Sequence, residues 1–186
     1  MKLGISSYTY TWAVGVPAYP CEGKKLSALD LVNKASKVGV QVVQICDNLH
    51  LHKLGKEELT ELRQTAEKLG ITIEVGTCGV EPEHLRMYLE IAHLLNSDIV
   101  RVLLHKSNGL ISINEAYEYI NEVLHEFESK KIKIVIENHE RHSVKELTWL
   151  VDKLNSEYVG ICLDTVNSFA ALECPQQVIK IGRAHV

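Results

Sequence analysis

The sequence predicts a mostly parallel α/β fold built from repeated strand and helix units. Two β-branched runs give the first indication: Ile134 to Ile136 leads into Glu137, and Val159 to Leu163 leads into Asp164. Near-continuous apolar runs of this kind mark strands covered on both faces. The second indication lies between them, where Val144, Leu147, Leu150, Val151 and Leu154 recur at helical spacing. A strand, helix, strand unit brings both carboxylates to one rim, where α/β proteins place their sites. The third is the regularity of the whole chain, which reads as about six strands and five helices with no low-complexity linker. The first turn, GISSYTYTWAVG, lacks GxGxxG and GxxxxGK[ST]. One-way repetition without a nucleotide cradle favours a TIM-barrel-like (β/α) repeat over a dinucleotide fold.

Each element has its own local signal. Leu3 and Ile5 begin the first strand, and Tyr8, Tyr10 and Trp12 follow in a loop ending at Val14, Gly15, Val16 and Pro17. Tyr8 and Trp12 suit stacking on a ligand, ordinary packing or a lid. Ser27 to Gly39 is a helix with Leu29, Val32, Ala35 and Val38 along it and Gly39 to stop it. VQVVQI is the second strand, and His50 and His52 after it read as surface or packing residues. GKEELTELRQTAEKLG is an amphipathic helix that feeds the third strand, ITIEVGTCG. Glu74 sits inside that strand, where an ionised carboxylate needs a partner. Glu83 to Leu95 is the next helix, IVRVLL the fourth strand, and His105 enters a loop with Ser107, Asn108 and Gly109. Ile113 to Phe127 is a helix that leads to the central unit.

One domain covers residues 1–186, long enough to bury roughly 70% of its unfolded surface in one core. The formal charge is −4 at pH 7, and Lys and Arg look scattered along the sequence, so no nucleic-acid partner is expected. No segment approaches the roughly 18 apolar residues of a membrane span, and no membrane partner is expected. Five cysteines without a CxxC pair suggest buried thiols in a reducing, cytoplasmic setting, with Cys78 placed to lie near a site. A closed eight-stranded barrel usually takes about 250 residues. The expectation is therefore an incomplete barrel with about six strands and the start of a seventh near His185. Its open edge would be covered by an oligomer of identical chains or by rearrangement.

Glu137 and Asp164 supply two oxygen ligands suited to Mg²⁺ or Mn²⁺. A histidine such as His185 would also admit Co²⁺, Zn²⁺ or Fe²⁺. The same carboxylates could instead cap helices or pair with Arg141.

With LGISSYTY at the first strand, IENHE at the fifth, CLDTVNSF at the sixth and AHV at the start of a seventh, the chain resembles the xylose-isomerase-like barrel superfamily. The resemblance is to its sugar and sugar-phosphate isomerases and epimerases, and it implies divalent-metal ligands at Glu137, Asp164 and His185. A fourth glutamate of such relatives has no counterpart here. It also implies a small sugar or sugar-phosphate substrate and proton movement beside a ketose carbonyl through an enediolate, with Glu137 as an acid/base group. His139 and Arg141 would orient the ligand or bind substrate oxygens, or stand exposed in an ion pair. Asn167 takes a place often held by histidine in relatives and could donate to substrate, and His105 could approach the same mouth. Endonucleases of the superfamily use a histidine-rich multinuclear centre, whereas Thr77 and Asn167 stand here; a sugar enzyme is favoured. A noncatalytic sugar-binding or structural barrel remnant is the remaining alternative.

Overall fold

The computed structural model describes residues 2–17, 19, 23–107, 109–139, 142–174 and 178. Two units make up the chain, one of Met1–Thr77 with Glu90–Asp98 and the other of Cys78–Leu89 with Ile99–Val186.

In the first unit, β1 (Gly4–Ser6), β2 (Val42–Ile45) and β3 (Thr72–Cys78) run parallel, with Ile5 beside Val43 and Gln44 beside Glu74. A Cβ on Gly4 would lie 2.9 Å from Val42 Cβ, so glycine lets the first two strands approach. The aromatic segment after β1 is not a loop throughout. It forms a 3₁₀ turn over Ser7–Tyr10 and the short helix α1 (Thr11–Val14). Helix α2 (Ala28–Val38) starts where Ser27 and Asp30 exchange capping hydrogen bonds and stops at Gly39 in the left-handed region. Helix α3 (Lys56–Leu69) ends the same way at Gly70. Val32 and Ala35 of α2 and Leu59, Leu62 and Ala66 of α3 are buried, as their spacing predicts, whereas α2 also buries Leu31 and leaves Val38 54% exposed.

In the second unit, β4 (Ile99–Leu103), β7 (Lys133–Glu137) and β8 (Val159–Cys162) run parallel, with Val102 beside Ile136 and Glu137 beside Cys162. Ile134, Val135 and Ile136 are at most 1% exposed, so β7 is covered on both faces. Helix α4 (Pro82–Leu94) precedes β4 and continues into the first unit. Helix α5 (Ile113–Lys130) leads to β7, α6 (Val144–Leu154) joins β7 to β8, and α7 (Thr165–Ala170) follows. Ala116, Ile120, Val123 and Phe127 of α5 and Leu147, Leu150 and Val151 of α6 are buried. Burying each Val, Leu or Ile contributes about 1.5–3 kcal/mol relative to exposure.

The strand count corrects the expectation of an incomplete barrel with about six strands. Among the described residues there are eight, six parallel and two antiparallel. The unexpected pair is β5 (His105–Lys106) and β6 (Gly109–Leu110), where the sequence suggested a loop. Gly109 has φ +118°, a conformation that only glycine adopts readily, and this lets the chain fold back on itself. Two ties hold the hairpin: Lys106 Nζ donates to Glu115 at 2.8 Å, and Ser107 donates through its N–H and hydroxyl to Glu81. The segment expected to open a seventh strand, near His185, lies outside the described residues. Among the described residues no helix is long and apolar enough to cross a membrane.

Candidate functional site

The second unit gathers polar side chains where β7 and β8 end. Glu137 is the last residue of β7, and its side chain is 11% exposed. Arg101, on β4 and 5% exposed in its side chain, donates from Nε to Glu137 Oε2. The register explains the reach: Arg101 is beside Val135, so Glu137 lies two residues further along the same face of the neighbouring strand. Asn167 Nδ2 lies 3.4 Å from the other oxygen, Oε1. A buried carboxylate between a guanidinium and an amide has the pairing that burial requires.

Asp164 follows β8 and caps α7. Its Oδ1 accepts from the N–H groups of Val166, at 2.8 Å, and Asn167, at 3.2 Å. Helix capping, one of the structural roles open to a strand-end carboxylate, is thus part of what Asp164 does. Asn138 ties the two carboxylate-bearing segments together. It is 3% exposed, donates from Nδ2 to the Asp164 carbonyl at 2.7 Å and to Ser168 Oγ at 2.8 Å, and accepts from the Asp164 N–H through Oδ1. All of its side-chain polar atoms are therefore spent on fixing Asp164 beside Glu137.

The structure also brings His105 and His139 together, their rings edge to face with centroids 6.3 Å apart. His139 Nδ1 is buried without a hydrogen-bond partner among the described residues. Arg141 and His185 lie outside the described residues. Tyr8 and Trp12 belong to the first unit, where the Tyr8 hydroxyl donates to Asp47 Oδ2 at 2.9 Å. Trp12 is 69% exposed and meets Tyr19 edge to face at 5.5 Å.

Arg101 and Asn138 were not singled out from sequence. Arg101 carries a readable signal, because a charge inside the apolar run IVRVLL must find an opposite charge if it is buried. Asn138 carries none, since its role depends on contacts 26 and 30 residues away.

Glu137 and Asp164 offer two oxygen donors of the type that a hard divalent ion takes. Glu137 and Asp164 stand at the ends of paired strands, and each anchors one oxygen to protein donors. Asp164 Oδ2 is uncommitted among the described residues, and Glu137 Oε1 meets only the long Asn167 contact. Among the described residues no three His, Cys, Asp or Glu side chains cluster closely enough to hold a metal.

The profile of the Xylose isomerase-like TIM barrel family matches residues 32–185. The chain belongs to that family. A curated relative, the 3-oxo-isoapionate decarboxylase of Pectobacterium atrosepticum, is 33% identical over 188 residues, covering 100% of this chain and 66% of its own length. The chain thus spans slightly less than two thirds of that relative. Among solved structures, the D-psicose 3-epimerase of Clostridium cellulolyticum H10 with D-tagatose has TM-score 0.76 at 17% identity, over 97% of this chain and 69% of its own. The IOLI protein with a bound zinc atom has TM-score 0.60 at 19% identity, over 95% and 67%. Both likenesses lie below 25% identity and show a shared fold.

Proposed function

We propose that the chain performs enolate chemistry on a small oxo-sugar or its phosphate, as a divalent-metal-dependent isomerase or epimerase. The observation that carries this reading is the largely buried Glu137 at the end of β7, held by Arg101 and Asn167 beside Asp164. Isomerases and epimerases of this kind move a proton at the carbon next to a carbonyl, and that requires a fixed carboxylate in a site that excludes water. Glu137 Oε1 is the atom assigned to that proton. Arg101 fixes the Glu137 rotamer, and Asn138 fixes Asp164. Asn167 and the His105–His139 pair are assigned to substrate hydroxyls, with Arg141 as a further proposed substrate contact. Glu137, Asp164 and His185 would hold Mn²⁺ or Mg²⁺, with Co²⁺ or Zn²⁺ as alternatives. Such an ion supplies positive charge beside the developing oxyanion.

A second reading is favoured by the 33% identity, across the whole chain, to a protein named as a decarboxylase of a 3-oxo sugar acid. Loss of CO₂ from a carbon beside a carbonyl leaves the same kind of enolate, so the same groups would serve. Incubation with Mn²⁺ in D₂O separates the two readings. Deuterium entering next to the carbonyl of a ketose, without CO₂ release and lost in Glu137→Gln, supports isomerisation or epimerisation. CO₂ released from a 3-oxo sugar acid supports the second. Elemental analysis on the same preparations should show metal lost in Glu137→Ala and Asp164→Ala and kept in His139→Ala. Equal metal content in all of them would remove the ligand assignment.

A further inference from the structure

The first unit holds a cluster of cations that the enolate chemistry does not use. Leu26 N–H donates to the Ala13 carbonyl at 2.8 Å, closing the loop between α1 and α2 on itself. Where the loop meets α2, a cavity of about 370 Å³ opens, lined by Lys24, Lys25, Lys34, Lys37, Asp30 and Asn33 among others. That volume lies in the range of small-molecule sites. Four lysines and one aspartate are among the residues that line it, in a chain whose formal charge is −4.

The single carboxylate is already engaged. Asp30 accepts from the Ser27 N–H and hydroxyl and from Lys24, and these hydrogen bonds, that of the Ser27 backbone foremost, lower its pKa. Lys25, Lys34 and Lys37 make no ion pair among the described residues. Two features nevertheless place Lys25 and Lys34. A Cβ at Gly15 would lie 3.0 Å from Lys25 Cε and 3.1 Å from its Nζ, so the absence of a side chain there makes room for this lysine. Lys34 Nζ sits 4.8 Å from the centre of the Tyr10 ring, an attraction that positions the ammonium while leaving its N–H groups available. Asn33 donates from Nδ2 to the Leu29 carbonyl at 2.9 Å, which turns its amide into an acceptor for a hydroxyl. Like charges brought together around a cavity repel one another, and an anion with several charges removes that cost.

We propose that this cavity binds a compact, soluble polyanion of the phosphorylated polyol or pyrophosphate class. Two loop lysines and two helix lysines hold its phosphate groups, and Asn33 Oδ1 accepts from a hydroxyl. The site is independent of Glu137 and of the activity assigned to it.

Inorganic pyrophosphate is the probe, titrated calorimetrically into the intact chain at low ionic strength. Saturable binding at one site per chain is expected, weakening as salt is raised. Lys34→Gln/Lys37→Gln should bind roughly tenfold more weakly, a loss of about 1.4 kcal/mol. Lys34→Arg/Lys37→Arg should stay within about threefold, because the charge is kept although the geometry changes. Glu137→Gln should bind as the unaltered chain does. Circular dichroism melting of each variant checks that the fold is retained, and Lys25→Gln gives an independent test from the loop side. Absence of saturable binding, or equal affinity in the glutamine variants, overturns the proposal. So does sedimentation with vesicles of equal parts phosphatidylserine and phosphatidylcholine without pyrophosphate binding.

Discussion

Glu74 on β3 and Glu137 on β7 each follow an isoleucine in a β-branched run, TIE in one and VIE in the other, and each belongs to a different unit. Glu74 is half-buried and has Gln44 directly beside it in register; Gln44 Nε2 donates to Glu74 Oε2 at 3.0 Å. Glu137 has the guanidinium of Arg101, reaching along the face of β4 from two residues back. A neutral amide satisfies one oxygen of Glu74 in a partly solvated place. Glu137, 11% exposed in its side chain, has a full positive charge instead. The same pattern in sequence therefore yields a structural carboxylate in one strand and a candidate reactive one in the other, and the neighbouring strand decides which.

Removing each partner should separate the two sharply. Arg101→Met leaves the Glu137 charge buried and unpaired, which costs about 3–5 kcal/mol. Gln44→Leu removes the amide donor to the Glu74 carboxylate and the acceptor of the Cys46 thiol, and should cost about 1–3 kcal/mol. Urea unfolding of both variants, followed by circular dichroism, measures the contrast. Equal losses would mean that the guanidinium does no more for Glu137 than an amide does for Glu74. The double variant Arg101→Met/Glu137→Leu should recover much of the loss, since an apolar pair of similar size replaces a buried ion pair at little cost.

Local signals made most of the fold readable. Ser27, Ser112 and Ser143 each open a helix and are each followed three residues later by an acidic residue; all three form reciprocal caps. Gly39 and Gly70 end α2 and α3 as expected. Where no glycine stood, the reading fell short: α5 runs on to Lys130 and stops at Lys131, which adopts φ +56° without being glycine. The hairpin of β5 and β6 escaped notice because HKSNGL has no apolar alternation and its strands are two residues each. At the site, the strand-end carboxylates were readable, but Arg101 and Asn138 depend on register between distant strands. The cluster at Lys24, Lys25, Lys34 and Lys37 was hidden in a charge distribution that looks scattered until the loop folds against α2.

Asp164 gives an intermediate case, a carboxylate paired with backbone N–H groups. Asp164→Ala should cost about 1 kcal/mol through loss of the cap, whereas Asp164→Asn, itself a good capping residue, should retain most of the stability. Thermal melting reads the cap, and metal content reads the charge. Asp164→Asn that keeps the melting temperature but loses bound metal would separate the two roles of one side chain. Asp164→Asn that loses neither would leave Asp164 as a cap alone.

The weakest pairing completes the series. Lys106 donates to Glu115 at 2.8 Å with both side chains partly exposed, and Glu115 is also bonded to the Ser112 hydroxyl and N–H. Together, with Lys106 the largest cause, these bonds lower the Glu115 carboxyl from its ordinary 4.5 to about 2. A carboxyl that is more acidic in the folded chain than in the unfolded one adds stability above the unfolded value. The contribution is lost as pH falls through the folded one. The stability difference between the unaltered chain and Glu115→Gln should therefore be constant from neutral pH down to near 4.5, shrink below it, and disappear near 2. Added salt should reduce the Lys106 part of the difference, because an exposed pair is screened where the Arg101–Glu137 pair is not. A difference that grows on acidification would mean that Glu115 is held in its protonated form, and the tie between the hairpin and α5 would then have to rest on Ser107 and Glu81.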